Sequence, residues 1–204
     1  MRITVLGLQG SGKTYLVQHC IIPARKNHLV FDVMGEYAGF DRYVPKFADD
    51  RDRLMEETSL FIRKLVIPNV CPIEKPKPKN KQCLNLVVFD EADLYAPATE
   101  RIAPGLRNLV VKSRHYGLDI VFVTRRPTDI SAYLMDTSDY LIVGKQVGQN
   151  ALRIIGNINT EAKEAVQELD YENHEFIILD RERKMQKIRV NKDCKKIPDM
   201  LNFI

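Results

Sequence analysis

Residues 7–14 have the sequence Gly-Leu-Gln-Gly-Ser-Gly-Lys-Thr, which fits the pattern G-x-x-x-x-G-K-[ST] at every specified position. An apolar run at residues 3–6 precedes this segment, and an apolar-periodic stretch at residues 15–22 follows it. That order predicts a strand, a tight loop and a helix, the context in which the pattern binds phosphate. The glycines let successive backbone N–H groups point at anionic oxygens, and the helix N-terminus adds partial positive charge. The segment, called the phosphate loop below, predicts a nucleoside triphosphate site rather than a plain turn.

Two side chains of the phosphate loop have specific expected roles. Lys13 is expected to reach the β- and γ-phosphates, and the Thr14 hydroxyl is expected to ligate Mg²⁺. The nucleotide-binding residues predicted from this segment are Gly7, Gln9, Gly10, Ser11, Gly12, Lys13, Thr14 and Tyr15.

The size of the chain limits how many domains it can form. At 204 residues, 45% of them hydrophobic and 28% charged, it is long enough for one well-buried α/β domain and too short for two of ordinary size. The first predicted strand starts almost at Met1, so we expect neither a signal peptide nor an N-terminal accessory domain. No apolar run approaches the roughly 20 residues that span a bilayer. We therefore expect an intracellular protein with no membrane span.

Predicted strands and helices alternate along the chain. The strands cover residues 3–6, 28–32, 84–89, 118–124 and 140–143, and the helices cover residues 15–22, 50–66, 106–114, 131–135, 151–155 and 161–169. Two more strands, at residues 175–179 and 186–190, are typical of an antiparallel hairpin added to a sheet edge. The pattern predicts one doubly wound α/β domain over residues 1–204 with a mainly parallel sheet. Its core spans about residues 1–145, and C-terminal helices and a basic hairpin span about residues 146–204.

A pair of acids follows the apolar run at residues 86–89. At the carboxyl end of a central strand, Asp90 would hold Mg²⁺ beside the phosphate loop, directly or through water. The adjacent Glu91 would orient and deprotonate an attacking water. One acid for the metal and a second for the nucleophile favour hydrolysis over simple binding.

Asp32 and Glu36 follow the second predicted strand, at the same edge of the sheet, and are predicted to belong to the nucleotide site. Asp32 and Gly35 also fit the short D-x-x-G pattern of GTP switches. A guanine-binding N-K-x-D signature would have to accompany it, and residues 191–194, Asn-Lys-Asp-Cys, fail at the fourth position. The sequence therefore disfavours a GTPase.

A third polar cluster surrounds the predicted strand at residues 118–124. Arg114 ends the preceding helix, and Thr124, Arg125 and Arg126 lie at the far end of the strand. A polar residue at a central strand's tip can sense the γ-phosphate. The planar, permanently charged fork of arginine suits transition-state stabilisation when a neighbouring subunit supplies it. Each of these arginines could equally form a surface ion pair.

Taken in order, four blocks resemble the FtsK–HerA superfamily of DNA-pumping ATPases. They are the phosphate loop, the Asp-x-x-Gly-Glu-Tyr block at residues 32–37, the Asp-Glu-Ala-Asp block at residues 90–93, and the stretch from Arg114-x-x-Gly117 to Arg126-Pro127. The second and fourth blocks distinguish this superfamily from other ATPases, many of which share the first and third blocks. The short chain looks most like the genome-packaging ATPases of membrane-containing icosahedral viruses, above all those of archaeal turreted icosahedral viruses.

This resemblance implies a RecA-like domain that binds ATP and Mg²⁺ and works in a ring, expected to be a hexamer. Lys13 and Thr14 then bind phosphate and metal, Asp90 supports the metal, and Glu91 activates water. Arg114 occupies the position of the superfamily's trans-acting arginine finger. The implied partners are double-stranded DNA, further copies of the chain, and a capsid vertex or portal-like protein. The implied location is the host-cell cytoplasm or the virion.

One position departs from the superfamily pattern. A glutamine usually stands just before the Arg-Pro pair as the sensor at the strand tip, and here that position is Arg125. Either Arg125 senses phosphate with a full charge or Thr124 takes this role, and Arg126 could contribute in both cases.

The net charge of +4 is unevenly distributed. Residues 181–196 carry a local charge of +6, residues 74–81 carry +3, and the remainder carries −5. Two basic patches on a mildly acidic body can mark contact with a polyanion. A solvated basic hairpin and loop would give the same pattern.

The four cysteines, Cys20, Cys71, Cys83 and Cys194, show no C-x-x-C pairing, so a zinc site is not expected. Cys71 and Cys83 bracket a proline- and lysine-rich loop and could be bridged. Free thiols are the expected state in a cytosolic protein, although hyperthermophile proteins do contain intracellular disulfides.

Other functions remain compatible with parts of the pattern. A host- or plasmid-type DNA-translocating ATPase would have an identical site. A nucleotide-gated assembly module would bind ATP without translocating DNA, and the Asp90-Glu91 pair argues against it. The Asp-Glu-Ala-Asp string invites an RNA helicase interpretation, but such helicases need two tandem domains. A small-molecule kinase would need an arginine-rich lid, for which residues 181–184 are a distant candidate.

Overall fold

Strand β1 (Arg2–Leu6) lies inside the sheet and pairs in parallel with β5 (Asp119–Thr124) on one side and β6 (Tyr140–Gly144) on the other. Its last four residues are buried, as are all residues of β5 and β6. Such continuous apolar burial is what strands covered by helices on both faces require. These features come from a computed structural model that describes residues 1–74 and 82–201.

The described chain forms one eight-stranded sheet in the order β3-β2-β4-β5-β1-β6-β7-β8. The other strands are β2 (His28–Phe31), β3 (Arg42–Tyr43), β4 (Leu86–Phe89), β7 (Glu175–Leu179) and β8 (Met185–Arg189). β7 pairs antiparallel with β6, and β8 pairs antiparallel with β7, whereas the other pairings are parallel. The predicted α/β fold, with a mainly parallel sheet and a C-terminal antiparallel hairpin, is confirmed.

The longer helices follow the apolar periodicity of the sequence. Helix α1 (Lys13–Leu16) continues through a π-helical turn (Val17–Ile21), α2 (Arg51–Phe61) through another (Ile62–Val66), and α3 (Pro104–Lys112) through a 3-10 turn (Ser113–Tyr116). The remaining helices are α4 (Ala132–Thr137), α5 (Gln149–Ile158), α6 (Thr160–Glu168), α7 (Val190–Asp193) and α8 (Ile197–Met200). Asp50 caps α2 by accepting a hydrogen bond from the Arg53 amide, and Gly117 ends the 3-10 turn in the left-handed region.

Two apolar layers cover the two faces of the sheet. Helices α2, α3, α5 and α6 pack on one face through residues such as Phe61, Leu109 and Ile155. Helix α1 and the C-terminal helices pack on the other face, where Leu16 and Ile197 are fully buried. Burial of each such side chain contributes about 1.5–3 kcal/mol, so both layers hold the strand ends in place.

Strand β3 has no counterpart among the predicted strands. It is only two residues long, and its place beside β2 comes from tertiary contacts that no local pattern encodes. Arg42, its first residue, donates to the buried carboxylate of Asp32 at 2.7 Å.

All four cysteines are in disulfides, so the interpretation of free thiols is wrong. Cys20 in the α1 segment is bonded to Cys194 after α7, and Cys71 is bonded to Cys83. The Cα–Cα distances of 5.0 and 5.6 Å lie in the usual range for a bridge. The first pair is 174 residues apart in sequence, and only the packing of the C-terminus against α1 brings it together.

The basic segment at residues 181–196 is divided between two ends of the hairpin. Residues 181–184 form the turn between β7 and β8, and residues 190–196 form α7 and the turn after it. Lys187 and Arg189 of β8 both pair with Glu175 on β7, so part of the positive charge is neutralised inside the sheet. The other basic patch, at residues 74–81, lies outside the described residues except for Glu74. Within the described ranges, no helix has the length and apolar character needed to cross a bilayer.

Candidate functional site

The phosphate loop connects β1 to α1, and its glycines have conformations that other residues rarely adopt. Gly10 and Gly12 have φ angles of 76° and 91°. At Gly7, an added Cβ would lie 2.6 Å from the Ser11 hydroxyl oxygen, so that hydroxyl would have to move. The left-handed conformations of Gly10 and Gly12 let the backbone curl as an anion-binding loop does.

The side chain of Lys13 folds back over the phosphate loop and reaches the start of that loop. Its Nζ donates to the carbonyl oxygens of Gly7 at 2.7 Å and Leu8 at 3.0 Å. Burial lowers the pKa of Lys13, while the negative charges of Glu91 and Asp90 act in the opposite direction. The amino group is thus held at the loop with two acids close enough to influence it.

Asp90 and Glu91 follow β4 at the same sheet edge as the phosphate loop. Asp90 is buried, and its Oδ2 has no hydrogen-bond partner among residues 1–74 and 82–201. Burial, followed by the charge of Glu91 and then of Glu36, raises the pKa of Asp90 to about 8. Because burial and nearby negative charges disfavour the ionised form of Asp90, its carboxylate needs a bound cation to remain ionised at neutral pH.

The residues at this edge fit Mg²⁺. The Thr14 hydroxyl donates to Glu36 Oε2 at 2.8 Å, which leaves lone pairs of its oxygen free to ligate a metal. The unpartnered Oδ2 of Asp90 is a second hard oxygen ligand of the kind that Mg²⁺ prefers. Two further buried hydroxyls, of Ser11 and Tyr37, also have no partner within the described part of the chain. Polar atoms left unpaired in this way are expected where water, metal or phosphate completes a site.

Asp32 is fully buried and organises the loop after β2. Its carboxylate accepts hydrogen bonds from the backbone amides of Glu36 at 2.9 Å and Tyr37 at 3.1 Å, besides the one from Arg42. The backbone carbonyl of Glu36 also accepts from Gln18 Nε2 at 2.8 Å. The structure thus places Asp32 as the anchor that brings Glu36 to Thr14.

The tip of β5 carries the candidate sensors. Thr124 is fully buried, and its hydroxyl donates to Asp93 Oδ1 at 2.6 Å. The exposed Arg125 approaches Glu91, with 3.3 Å between NH2 and Oε1, and its backbone carbonyl accepts from the buried Gln146 at 3.1 Å. Arg126 is exposed on the same turn. The structure therefore brings Arg125 to the candidate general base, while Thr124 is already engaged by Asp93.

Glu91 itself has a φ of 45°, in the left-handed region that residues other than glycine seldom occupy. Such backbone conformations cost about 1–3 kcal/mol and cluster at functional sites. Here the left-handed residue lies between the end of β4 and a 3-10 turn (Ala92–Leu94). Glu91 therefore adopts this conformation directly after Asp90, the metal-binding candidate.

The segment between α6 and β7 adds two residues that no sequence pattern predicts. The Tyr171 hydroxyl donates to the Gln9 carbonyl, and His174 Nδ1 lies 3.2 Å from the Ser11 carbonyl oxygen. An added Cβ on Gly12 would come within 2.8 Å of the His174 ring. The C-terminal part of the chain therefore supports the phosphate loop directly. Neither residue belongs to a motif, and the only signal was their place just before a predicted edge strand.

Arg114 lies at the opposite edge of the sheet. It precedes β5, whereas the phosphate loop follows the parallel neighbour β1, so the two are separated by the length of a six-residue strand. At about 3.3 Å per residue, that length is roughly 20 Å, beyond the reach of an arginine side chain. Arg114 instead contacts Asp139, with 3.0 Å between NH2 and Oδ1.

The fold is that of the P-loop ATPases. The chain is similar to the genome-packaging NTPase B204 of Sulfolobus turreted icosahedral virus 2 bound to AMPPCP, with a TM-score of 0.68 and 22% identity over 91% of this chain and 95% of that one. It is also similar to B204 of Sulfolobus turreted icosahedral virus, with a TM-score of 0.67, 20% identity, and 91% and 95% of the two chains covered. The pCW3 conjugation coupling protein TcpA matches 98% of this chain over 64% of its own, at 18% identity and a TM-score of 0.61.

No protein-family model and no curated protein matches the chain. The resemblance inferred from the four sequence blocks is confirmed at the level of the fold. The AMPPCP is bound to that viral NTPase.

Proposed function

We propose that this protein is an ATPase that moves double-stranded DNA into a preformed viral capsid, acting as a ring of subunits, expected to be a hexamer. The observation that carries the proposal is the distance between Arg114 and the phosphate loop, which lie at opposite edges of one sheet. With Arg114 as the trans-acting arginine that the resemblance implies, a subunit supplies the metal, base and phosphate groups of one site and an arginine to another. Head-to-tail packing around a ring satisfies that requirement.

Binding of the triphosphate rests on the phosphate loop. Its backbone amides and Lys13 hold the β- and γ-phosphates, and the Lys13 amino group would exchange the Gly7 and Leu8 carbonyls for phosphate oxygens. Thr14 and Asp90 would hold Mg²⁺, which when bound neutralises charge that develops on the transferred phosphoryl group.

Hydrolysis requires Glu91 to accept a proton from water. The water oxygen forms a bond to the γ-phosphorus, the bond from that phosphorus to the β,γ-bridging oxygen breaks, and ADP and phosphate leave. Arg125 contacts the Glu91 carboxylate at 3.3 Å, so this ion pair has to loosen for the carboxylate to receive the proton. Arg125 then has a free guanidinium for the phosphate, in keeping with its place at the sensor position.

DNA contact is proposed to involve backbone phosphates and to be independent of sequence. The candidate contacts are the basic residues at 181–196 and the lysine-rich residues at 74–81. Binding of this kind weakens steeply as salt rises, because bound counterions are released from the DNA. The proposed location is the host-cell cytoplasm or the virion, and the proposed docking partner is a capsid vertex or portal-like protein.

Phosphate release, measured across protein concentration with and without random-sequence duplex DNA, tests the proposal. We expect the rate per subunit to rise with protein concentration and to rise further with DNA at low salt. Lys13→Ala serves as the inactive control. A rate per subunit that depends neither on protein concentration nor on DNA would overturn the proposed ring motor and favour a nucleotide-gated module.

A plasmid-type DNA-translocating ATPase is the second candidate, favoured by the similarity to a conjugation coupling protein. It would give the same result in the hydrolysis assay. Co-purification of the chain with capsids from infected cells would favour packaging, and its absence from them would favour the plasmid-type function.

A further inference from the structure

A buried carboxylate at the edge opposite the phosphate loop gathers three arginines. Asp139, just before β6, is only 5% exposed and accepts a hydrogen bond from the Arg2 amide at 2.8 Å. Its Oδ1 lies 3.0 Å from Arg114 NH2 and 3.3 Å from Arg181 Nε, and its Oδ2 lies 3.7 Å from Arg2 Nε. One negative charge is thus shared among three positive ones.

The two outer arginines of this cluster remain open to solvent. The side chains of Arg114 and Arg181 are each 64% exposed, whereas that of Arg2 is 14% exposed. Burial acts to raise the pKa of Asp139, but the Arg2 amide hydrogen bond and the surrounding guanidinium groups outweigh it, and the pKa is lowered. The carboxylate therefore stays ionised and holds the guanidinium groups of Arg114 and Arg181 in place by ion pairs.

The turn that carries Arg181 is itself tightly ordered. Asp180 Oδ1 accepts hydrogen bonds from the amides of Glu182 at 2.8 Å and Lys184 at 2.9 Å. Arg183 has a φ of 62°, and its carbonyl accepts from Asn159 Nδ2 at 2.8 Å. Because the backbone is held in this way, Arg181 is presented at a defined place beside Arg114.

We propose that Arg181 acts together with Arg114 on the terminal phosphate of the nucleotide bound by a neighbouring subunit, with Asp139 positioning both. The proposal rests on the proposed ring ATPase and adds a second catalytic arginine to it. Both guanidinium groups contact the same carboxylate oxygen, so they are close enough to engage a single phosphate. Two planar guanidinium groups can donate hydrogen bonds to more of the oxygens of a γ-phosphate than one can.

Arg153 provides a matched control outside the basic segment. It is exposed on α5 and belongs neither to the nucleotide site nor to the Asp139 cluster, so Arg153→Ala removes one positive charge without touching that cluster. Arg181→Ala removes the proposed fork, and Arg181→Lys keeps the charge but loses the bidentate geometry.

The experiment measures phosphate release against protein concentration for the wild type and these three variants, with oligomer mass followed by light scattering. At dilution, where subunits are separate, we expect R181A to match the wild type. Once subunits assemble, R181A should assemble equally but fall at least 10-fold behind the wild type in kcat, with nucleotide affinity changed by less than about 3-fold. R181K should stay close to R181A, and R153A close to the wild type.

Other results would overturn the inference. Loss of the dilute rate would mean that Arg181 serves its own subunit's fold, and loss of assembly would make it an interface contact only. Normal hydrolysis with weakened duplex binding would assign Arg181 to DNA. The proposed ring ATPase would survive all three outcomes. It fails separately, when the wild-type rate per subunit is independent of concentration and DNA.

Discussion

Thr14 and Glu36 are joined by a hydrogen bond of 2.8 Å that connects the phosphate loop to the loop after β2. Asp32 holds Glu36 in this position through its backbone amide, and Arg42 of β3 holds Asp32 in turn. A carboxylate that accepts a hydrogen bond from the hydroxyl of a metal ligand orients the lone pairs of that hydroxyl oxygen toward the metal. Glu36 is therefore expected to tune Mg²⁺ binding without touching the metal itself.

Glu36→Ala should raise the Mg²⁺ concentration needed for half-maximal hydrolysis about 10–100-fold, the usual effect of removing an outer partner of a metal ligand. Glu36→Gln keeps an acceptor oxygen for the Thr14 hydroxyl and should behave more like the wild type. Titration of phosphate release with Mg²⁺ at saturating ATP measures the effect. An unchanged Mg²⁺ dependence in the alanine variant would contradict the role.

Glu91→Gln should bind nucleotide with nearly wild-type affinity and lose about 10²–10⁴-fold in turnover, because an amide cannot accept the proton of the attacking water. Fluorescent-nucleotide binding and single-turnover phosphate release separate the two quantities. Glu168→Gln, an exposed substitution on α6, is the matched control for loss of a negative charge. Equal losses in affinity and turnover would instead assign Glu91 to binding.

Much of this site could be predicted from the sequence because its parts are local. The phosphate loop and the Asp90-Glu91 pair are short motifs beside apolar strands, and parallel strands bring their carboxyl ends to one edge. The partners of these residues could not be predicted in the same way. Tyr171, His174 and Gln146 reach the site from the C-terminal third, through packing that leaves no periodic signal.

The position of Arg114 shows a different limit. The sequence placed it just before a central strand, which already implied the edge away from the phosphate loop. Its partner Asp139 and its neighbour Arg181 come from distant segments, and the sequence pattern assigns Arg181 only to a basic patch and to a distant candidate lid. Net charge along a sequence does not reveal which arginines a buried carboxylate will fix in place.

The Cys20–Cys194 bridge should contribute strongly to stability. It closes most of the chain into a loop, and the entropy model assigns about 5 kcal/mol to a loop of this size. Cys194→Ser should therefore lower Tm by roughly 10 °C for a domain of this length. Calorimetry of the variant and of the wild type with and without reductant measures the effect. Reductant should lower the wild-type Tm at least as far as the substitution does, and a Tm indifferent to both would contradict a stabilising bridge.

Acid stability should depend on Glu175, at the start of β7. Lys187 Nζ lies 2.7 Å and Arg189 NH2 2.8 Å from its carboxylate oxygens, and the Asp170 amide donates to it at 2.8 Å. The hydrogen bond from Lys187, supported by those from Asp170 and Arg189, lowers the pKa of Glu175 to about 2 from the ordinary value of 4.5. A carboxyl with a lower pKa in the folded state stabilises the fold above its unfolded pKa and loses that contribution as pH falls.

Glu175→Gln should therefore lower the free energy of unfolding by about 1.5–3 kcal/mol at pH 7, the range for hydrogen bonds to charged groups. The difference between wild type and variant should shrink as pH falls from 4.5 towards 2, because over that window the Glu175 carboxyl of the unfolded chain takes up a proton while that of the folded chain stays ionised. Urea unfolding at a series of pH values measures it, with the exposed Glu172→Gln as control. A difference that stays constant down to pH 2 would mean that the shape of the Glu175 side chain, and not its charge, stabilises the pairing of β7 with β8.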